Sequence, residues 1–150
     1  TIGDDHKKLM YAHDPTFFKK SLLCGSEKYF DIANFHIYFY DSFFSIRNKE
    51  FYKKCYFKRI DKIKKENPMR EIWITEVGIS RRFVKVNQKE IAQIYHDLYR
   101  YCRPRKIPLF LWTLIDPSGE YEFYNPETEF GFLDKNLKKN KIYDHFSKLF

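Results

Sequence analysis

The sequence predicts an α/β protein organised around a parallel sheet. Three observations carry that expectation. Three short stretches rich in aliphatic, β-branched and aromatic residues recur along the chain. Amphipathic stretches at helical spacing separate them. A glycine-rich phosphate loop, which would favour a doubly wound sheet within that class, is absent, the five glycines being scattered. Strands alternating with helices build βαβ units, whose strands run parallel because each connection crosses back over the sheet. The residue pattern fits either a doubly wound sheet or part of a (β/α)8 barrel.

Each element has its own justification. Asp14-Pro15 supplies an N-cap and first turn for a helix running to about Cys24, with Gly25 as its stop. Phe30 to Phe39, FDIANFHIYF, reads as the first strand. Asn48 to Asn67 places Tyr52, Cys55, Tyr56, Ile60 and Ile63 at helical spacing, and Pro68 ends it. Glu71 to Val77 is the second strand. Asn87 caps a helix from Gln88 to about Cys102, with Ile91, Ile94, Tyr95, Leu98 and Tyr101 facing inward; Pro104 and Pro108 bracket its exit. Leu109 to Ile115 is the third strand, almost continuously apolar and so expected to be buried on both faces. A long polar loop with Pro117, Gly119 and Pro126 follows, then a short helix over about Lys141 to Leu149.

Length and composition narrow the function classes. With 150 residues, the chain can form one domain, spanning 1–150, with a sizeable core. Hydrophobic residues make up 43% and aromatics 20%, which argues against disorder. No run approaches a membrane helix, and the polar opening TIGDDHKKLM is not a signal peptide, so no membrane partner is expected. Thr1 in place of methionine suggests a processed or truncated product and leaves localisation unread. The net charge is +8, but the surplus is dense in Arg47 to Arg70, an amphipathic stretch without a nucleic-acid motif. It reads as a solvated helix face, so no nucleic-acid partner is expected. Cys24, Cys55 and Cys102 are far apart and suit reduced thiols; Cys55 and Cys102 fall on apolar helix faces as small buried residues. His6, His13, His36, His96 and His145 show no ligand spacing, so neither metal nor other cofactor is expected. No GxSxG elbow occurs.

The candidate chemistry lies where strands end. Side chains alternate along a strand. Asn34, His36 and Tyr38 then share one face of the first strand, and Ala33, Phe35 and Ile37 the other. By the same parity Ile72, Ile74 and Glu76 share a face of the second strand, with Trp73 and Thr75 opposite. Glu76 closes an apolar run at the carboxyl end, the edge where parallel α/β sheets build their sites. A carboxylate there needs partners, and Tyr38 and His36 can supply them. Trp112 shares parity with Phe110 and Leu114, and Asp116 lies just beyond. A hydrogen-bonded carboxylate beside an indole suits attack at the anomeric carbon of a sugar.

The ordered motifs resemble the C-terminal half of the retaining (β/α)8 glycoside hydrolases of clan A, the cellulase-, mannanase- and xylosidase-like enzymes. FDIANFHIY is similar to the sixth barrel strand with its His-x-Tyr, EIWITEVGIS to the seventh with its terminal glutamate, and LFLWTLID to the eighth with its sugar-platform tryptophan. GFLDKNLKKNKIYDHF is similar to the stretch before the closing helix. The resemblance implies a partial TIM barrel of about strands six to eight with their helices. It also implies Glu76 as catalytic nucleophile, with Tyr38 holding it, His36 lining the subsite and Trp112 stacking under the sugar. Asn34 and Asp116 join His36, Tyr38 and Trp112 as substrate-binding candidates for a carbohydrate substrate.

The pattern departs from the family in one respect. A retaining enzyme needs a second carboxyl group about 5–5.5 Å from the first. In the family this glutamate follows an asparagine after the fourth strand, and no Asn-Glu pair precedes the sixth-strand motif here. Asp41 and Asp116 lie at the correct edge without family precedent. The expectation is therefore a chain completed by an N-terminal barrel half, or self-associating through exposed strand edges. The competing expectation is a non-catalytic carbohydrate-binding module in which Trp112, Tyr38, Tyr121 and Tyr124 contact sugars.

Overall fold

The computed structural model describes residues 9–11, 20, 22–39, 56–81, 87–116 and 129–149. In chain order its elements are β1 (Leu9–Tyr11), a 3-10 turn (Ser26–Tyr29), β2 (Ile32–Phe39), α1 (Lys58–Glu66), β3 (Glu71–Ile79), α2 (Gln88–Cys102), a second 3-10 turn (Arg103–Arg105), β4 (Leu109–Leu111) and α3 (Lys141–Phe146). The strands form one parallel sheet in the order β1-β2-β3-β4. Chain neighbours are thus sheet neighbours, with α1 crossing from β2 to β3 and α2 from β3 to β4, as the alternation of strand and helix requires.

Most of the expected elements are present. Lys20, Leu22 and Leu23 are helical, and Gly25 ends that turn with φ +77°, a conformation that costs glycine little; the helix start at Asp14-Pro15 lies outside the described residues. Residues 48–55, Cys55 among them, also lie outside. Ile60 and Ile63 of α1 face the core, and the Asn67 backbone and side-chain N–H groups both donate to the Ile63 carbonyl at 3.0 Å, closing the helix before Pro68. At the start of α2, Asn87 Oδ1 accepts from the Glu90 backbone at 2.9 Å while the Glu90 carboxylate accepts from the Asn87 N–H at 3.0 Å. That reciprocal box satisfies donors the helix itself cannot.

The core lies on one side of the sheet. Ala33, Phe35 and Ile37 of β2 and Ile72, Ile74, Val77 and Ile79 of β3 pack against α1 and against Ile91, Ile94, Tyr95, Leu98 and Cys102 of α2. Tyr95, fully buried, accepts the Ile79 backbone N–H at 3.0 Å, and burial pushes its phenol far above the ordinary value. Phe132 and Phe146 stack around Tyr95 at 5.4 and 6.3 Å and tie α3 to α2.

Three expectations are corrected. β1 was not anticipated: Leu9–Tyr11 is three residues long, too short to show an alternation between polar flanks. The third expected strand shrinks to Leu109–Leu111 and is not buried on both faces; Phe110 is 49% and Leu114 60% exposed. Among the described residues, helices cover only the Leu109 and Leu111 side of that strand.

The third correction concerns β3. Against β2, Phe35 pairs with Ile74 but His36 pairs with Glu76. Against β4, Leu109 pairs with Ile74 and Leu111 with Val77. β3 therefore carries one extra residue relative to both neighbours, a β-bulge that breaks the two-residue alternation. Without it, Glu76 would point into the core with Ile74. With it, Ile72, Ile74, Val77 and Ile79 all face the core, and Glu76 turns to the opposite face with Trp73.

Candidate active site

The open face of the sheet carries the polar row. Asn34, His36 and Tyr38 occupy it on β2, and the bulge delivers Glu76 to it on β3 beside His36. The Tyr38 hydroxyl donates to Glu76 Oε2 in a close hydrogen bond. His36 Nδ1 stands 3.2 Å from the same oxygen. The side chains of His36 and Glu76 are 17% and 26% exposed, so the carboxylate is partly desolvated yet reachable. Both contacts fall on Oε2; Oε1 carries neither. A carboxylate gripped by one oxygen presents the other in a defined direction, which is what a nucleophile or a fixed hydrogen-bond acceptor requires.

Tyr38 is itself held. Its ring pairs with Phe130 as backbone partner Gly78 passes alongside: the centroids of Tyr38 and Phe130 are 5.8 Å apart and the rings nearly perpendicular. A Cβ on Gly78 would stand 2.7 Å from the Tyr38 ring and 2.8 Å from that of Phe130. Only a glycine lets the ring lie so close to the β3 backbone.

The other candidates sit at differing distances from this centre. Asn34 is buried two residues before His36, and its Oδ1 accepts from the Thr75 hydroxyl. Trp112 follows β4 directly; its backbone N–H donates to the Val77 carbonyl at 2.8 Å, and the residue is 37% exposed. The Trp112–Thr113 peptide bond is cis. Asp116 is tied into a separate cluster: Oδ2 lies 2.5 Å from Arg81 Nη2, and Oδ1 accepts the Gly131 N–H at 2.5 Å. Asp41, Tyr121 and Tyr124 lie outside the described residues.

Sequence reasoning missed several participants. Gly78 and Phe130 lie against Tyr38, and Gly131 and Arg81 belong to the Asp116 cluster, yet these four are separated by up to 53 positions (from 78 to 131) and match no spacing rule. Strict alternation puts Trp73 on the face opposite Glu76; the bulge turns Glu76 to the Trp73 face, where Trp73 stacks with Phe110 at 6.2 Å. The pattern of apolar residues held the signal: Ile72, Ile74, Val77 and Ile79 can share a face only if the alternation slips once.

A parallel sheet with helices on one face, aromatic side chains on the other and a held carboxylate near its carboxyl rim matches a known architecture. The chain folds like part of the solved β-glucuronidases and xylanases, which are glycoside hydrolases of clan A. A β-glucuronidase from Bacteroides uniformis superposes over 96% of the chain with a TM-score of 0.67 at 12% identity. One from Ruminococcus gnavus, in complex with uronic deoxynojirimycin, covers 97% with a TM-score of 0.66 at 11% identity. Xylanase 10B from Thermotoga petrophila RKU-1, in complex with xylobiose, covers 94% with a TM-score of 0.57 at 18% identity. The chain spans 18%, 26% and 45% of those three chains. No protein-family model and no curated sequence matches it. The likeness therefore resides in the backbone architecture of barrel glycosidases, of which this chain matches a part.

Proposed function

We propose that Glu76 is the nucleophile of a retaining glycoside hydrolysis, and that this chain supplies the C-terminal βα units of the barrel that performs it. β1 then corresponds to a fifth strand and β2, β3 and β4 to the sixth, seventh and eighth. The observation that carries the reading is the grip of Tyr38 and His36 on one oxygen of Glu76, at the face a barrel turns toward its substrate.

In the first step Glu76 Oε1 attacks the anomeric carbon. The bond from that carbon to the leaving oxygen breaks, and the leaving oxygen takes the electron pair and a proton from a second carboxyl group. Water then attacks the same carbon, giving a proton to the second carboxylate and releasing Glu76 as it began. Tyr38 and His36 hold Oε2 through both steps, and Trp112 with the Trp73–Phe110 pair offers flat surfaces to the sugar. Asp116, bound to Arg81 and Gly131, is not the second carboxyl; that group comes from further βα units that complete the barrel.

A 2-deoxy-2-fluoroglycoside with a dinitrophenolate leaving group tests this, because its leaving group departs without a proton. Glucuronyl and xylosyl forms match the neighbouring folds. The expected result is a one-to-one adduct on the peptide containing Glu76, absent from Glu76→Gln. Labelling that survives this substitution sinks the proposal. The engagement of Asp116 favours a second reading, a carbohydrate-binding module without catalysis; sugar binding with no adduct supports it.

A further inference from the structure

We propose that the Arg81–Asp116 ion pair is a positioning device for Glu76, transmitted through Phe130 and Tyr38; the inference rests on the reading of Glu76 as nucleophile. Arg81 grips both flanks of Phe130. Its backbone N–H donates to the Glu129 carbonyl at 3.0 Å, and its guanidinium donates to the Gly131 carbonyl. Asp116 holds the Gly131 N–H and closes the ion pair at 2.5 Å. Asn140 Nδ2 adds a further bond to the Gly131 carbonyl at 3.0 Å. A Cβ on Gly131 would stand 2.3 Å from the Asp116 backbone nitrogen, so the two strand-exit segments meet backbone to backbone.

Phe130 is fully buried between these anchors, and its ring bears on Tyr38. Tyr38 has the Gly78 backbone beside it and Phe130 across it, so its hydroxyl is directed at Glu76 Oε2. The clasp therefore fixes the donor that fixes the nucleophile. Arg81 and Asp116 are only 12% and 11% exposed, and burying such a pair adds little net stability. Its distinctive property is geometric: two nitrogens in one rigid plane reach a carbonyl and a carboxylate, a fixed fork that a lysine's single ammonium nitrogen does not reproduce.

The test is a double-mutant cycle read by the fluoroglycoside labelling rate and by [13Cζ]tyrosine NMR. Arg81→Lys keeps the charge beside Asp116 but loses the fork. It is expected to lower the maximal labelling rate about tenfold with the half-saturating concentration unchanged, and to add little once Tyr38→Phe has removed the donor. The Tyr38 resonance moves in Arg81→Lys. Phe130→Leu, which leaves the clasp intact, gives the same rate loss and the same non-additivity and covers the case in which Arg81→Lys does not fold. Additive losses in both cycles, or a Tyr38 resonance unmoved by either variant, overturn the positioning even if Glu76 is labelled. A moved resonance in a protein whose Glu76 is never labelled leaves the coupling standing and removes the nucleophile reading alone.

Discussion

Gly78→Ala offers the sharpest single perturbation of the site. The added methyl would meet the Tyr38 ring at 2.7 Å and the Phe130 ring at 2.8 Å, both well inside ordinary carbon contact. Each ring must retreat by roughly 0.7–1.3 Å to reach a normal separation of about 3.5–4.0 Å. Gly78 lies within β3, so alanine suits the backbone and the cost is steric. Overpacking of this kind costs about 1–3 kcal/mol, and replacing a glycine returns roughly 0.4–1 kcal/mol through the unfolded chain. A net loss of about 1–2 kcal/mol corresponds to a fall in Tm of about 2–8 °C. Displacing the Tyr38 hydroxyl also removes a hydrogen bond to a charged group, worth about 1.5–3 kcal/mol, so Glu76 labelling slows by roughly 10- to 100-fold. Urea unfolding and the labelling rate measure the two effects separately. Unchanged stability together with an unchanged rate would show that Tyr38 is not wedged as described.

Two further outcomes follow from the core. Tyr95→Phe strands the buried Ile79 N–H that the phenol accepts, and chemical denaturation is expected to show a loss of about 1–3 kcal/mol, with no loss if water takes the hydroxyl's place. Burial pushes the Cys102 thiol from 9.0 up to about 11. Because the folded value is the higher, the stability it contributes is complete below pH 9 and is lost between pH 9 and 11, where the unfolded chain ionises first. The stability advantage of the native chain over Cys102→Ala, measured by urea unfolding, should shrink by about 2–3 kcal/mol across that window; a constant difference refutes the shift.

Much of the fold was legible because local chemistry and tertiary role coincide. Asn87 and Glu90 announce the start of α2 by their spacing, and the helix begins there. The alternation in β2 gives both faces correctly, since no residue is inserted within it. β3 defeats the same rule, because the bulge is visible only when two neighbouring strands are paired with it. The exposure of Phe110 and Leu114 was hidden for another reason: an apolar side chain on an uncovered sheet face and one facing a helix read alike. The site divides in the same way. His36, Tyr38 and Glu76 stand out as polar residues in apolar runs. Phe130 and Arg81 are a common core residue and a common surface residue by type, and only folding makes them neighbours.

The slip in β3 absorbs one surplus residue, so it answers to the count of residues and not to their identity. Removing a single codon at Thr75 would restore strict alternation in register with both neighbouring strands, leaving the acid outward and Ile74, Val77 and Ile79 inward. A bulge-free strand one codon shorter would therefore present the same acid on the same face, a kinship that a survey of substitutions alone would never reveal.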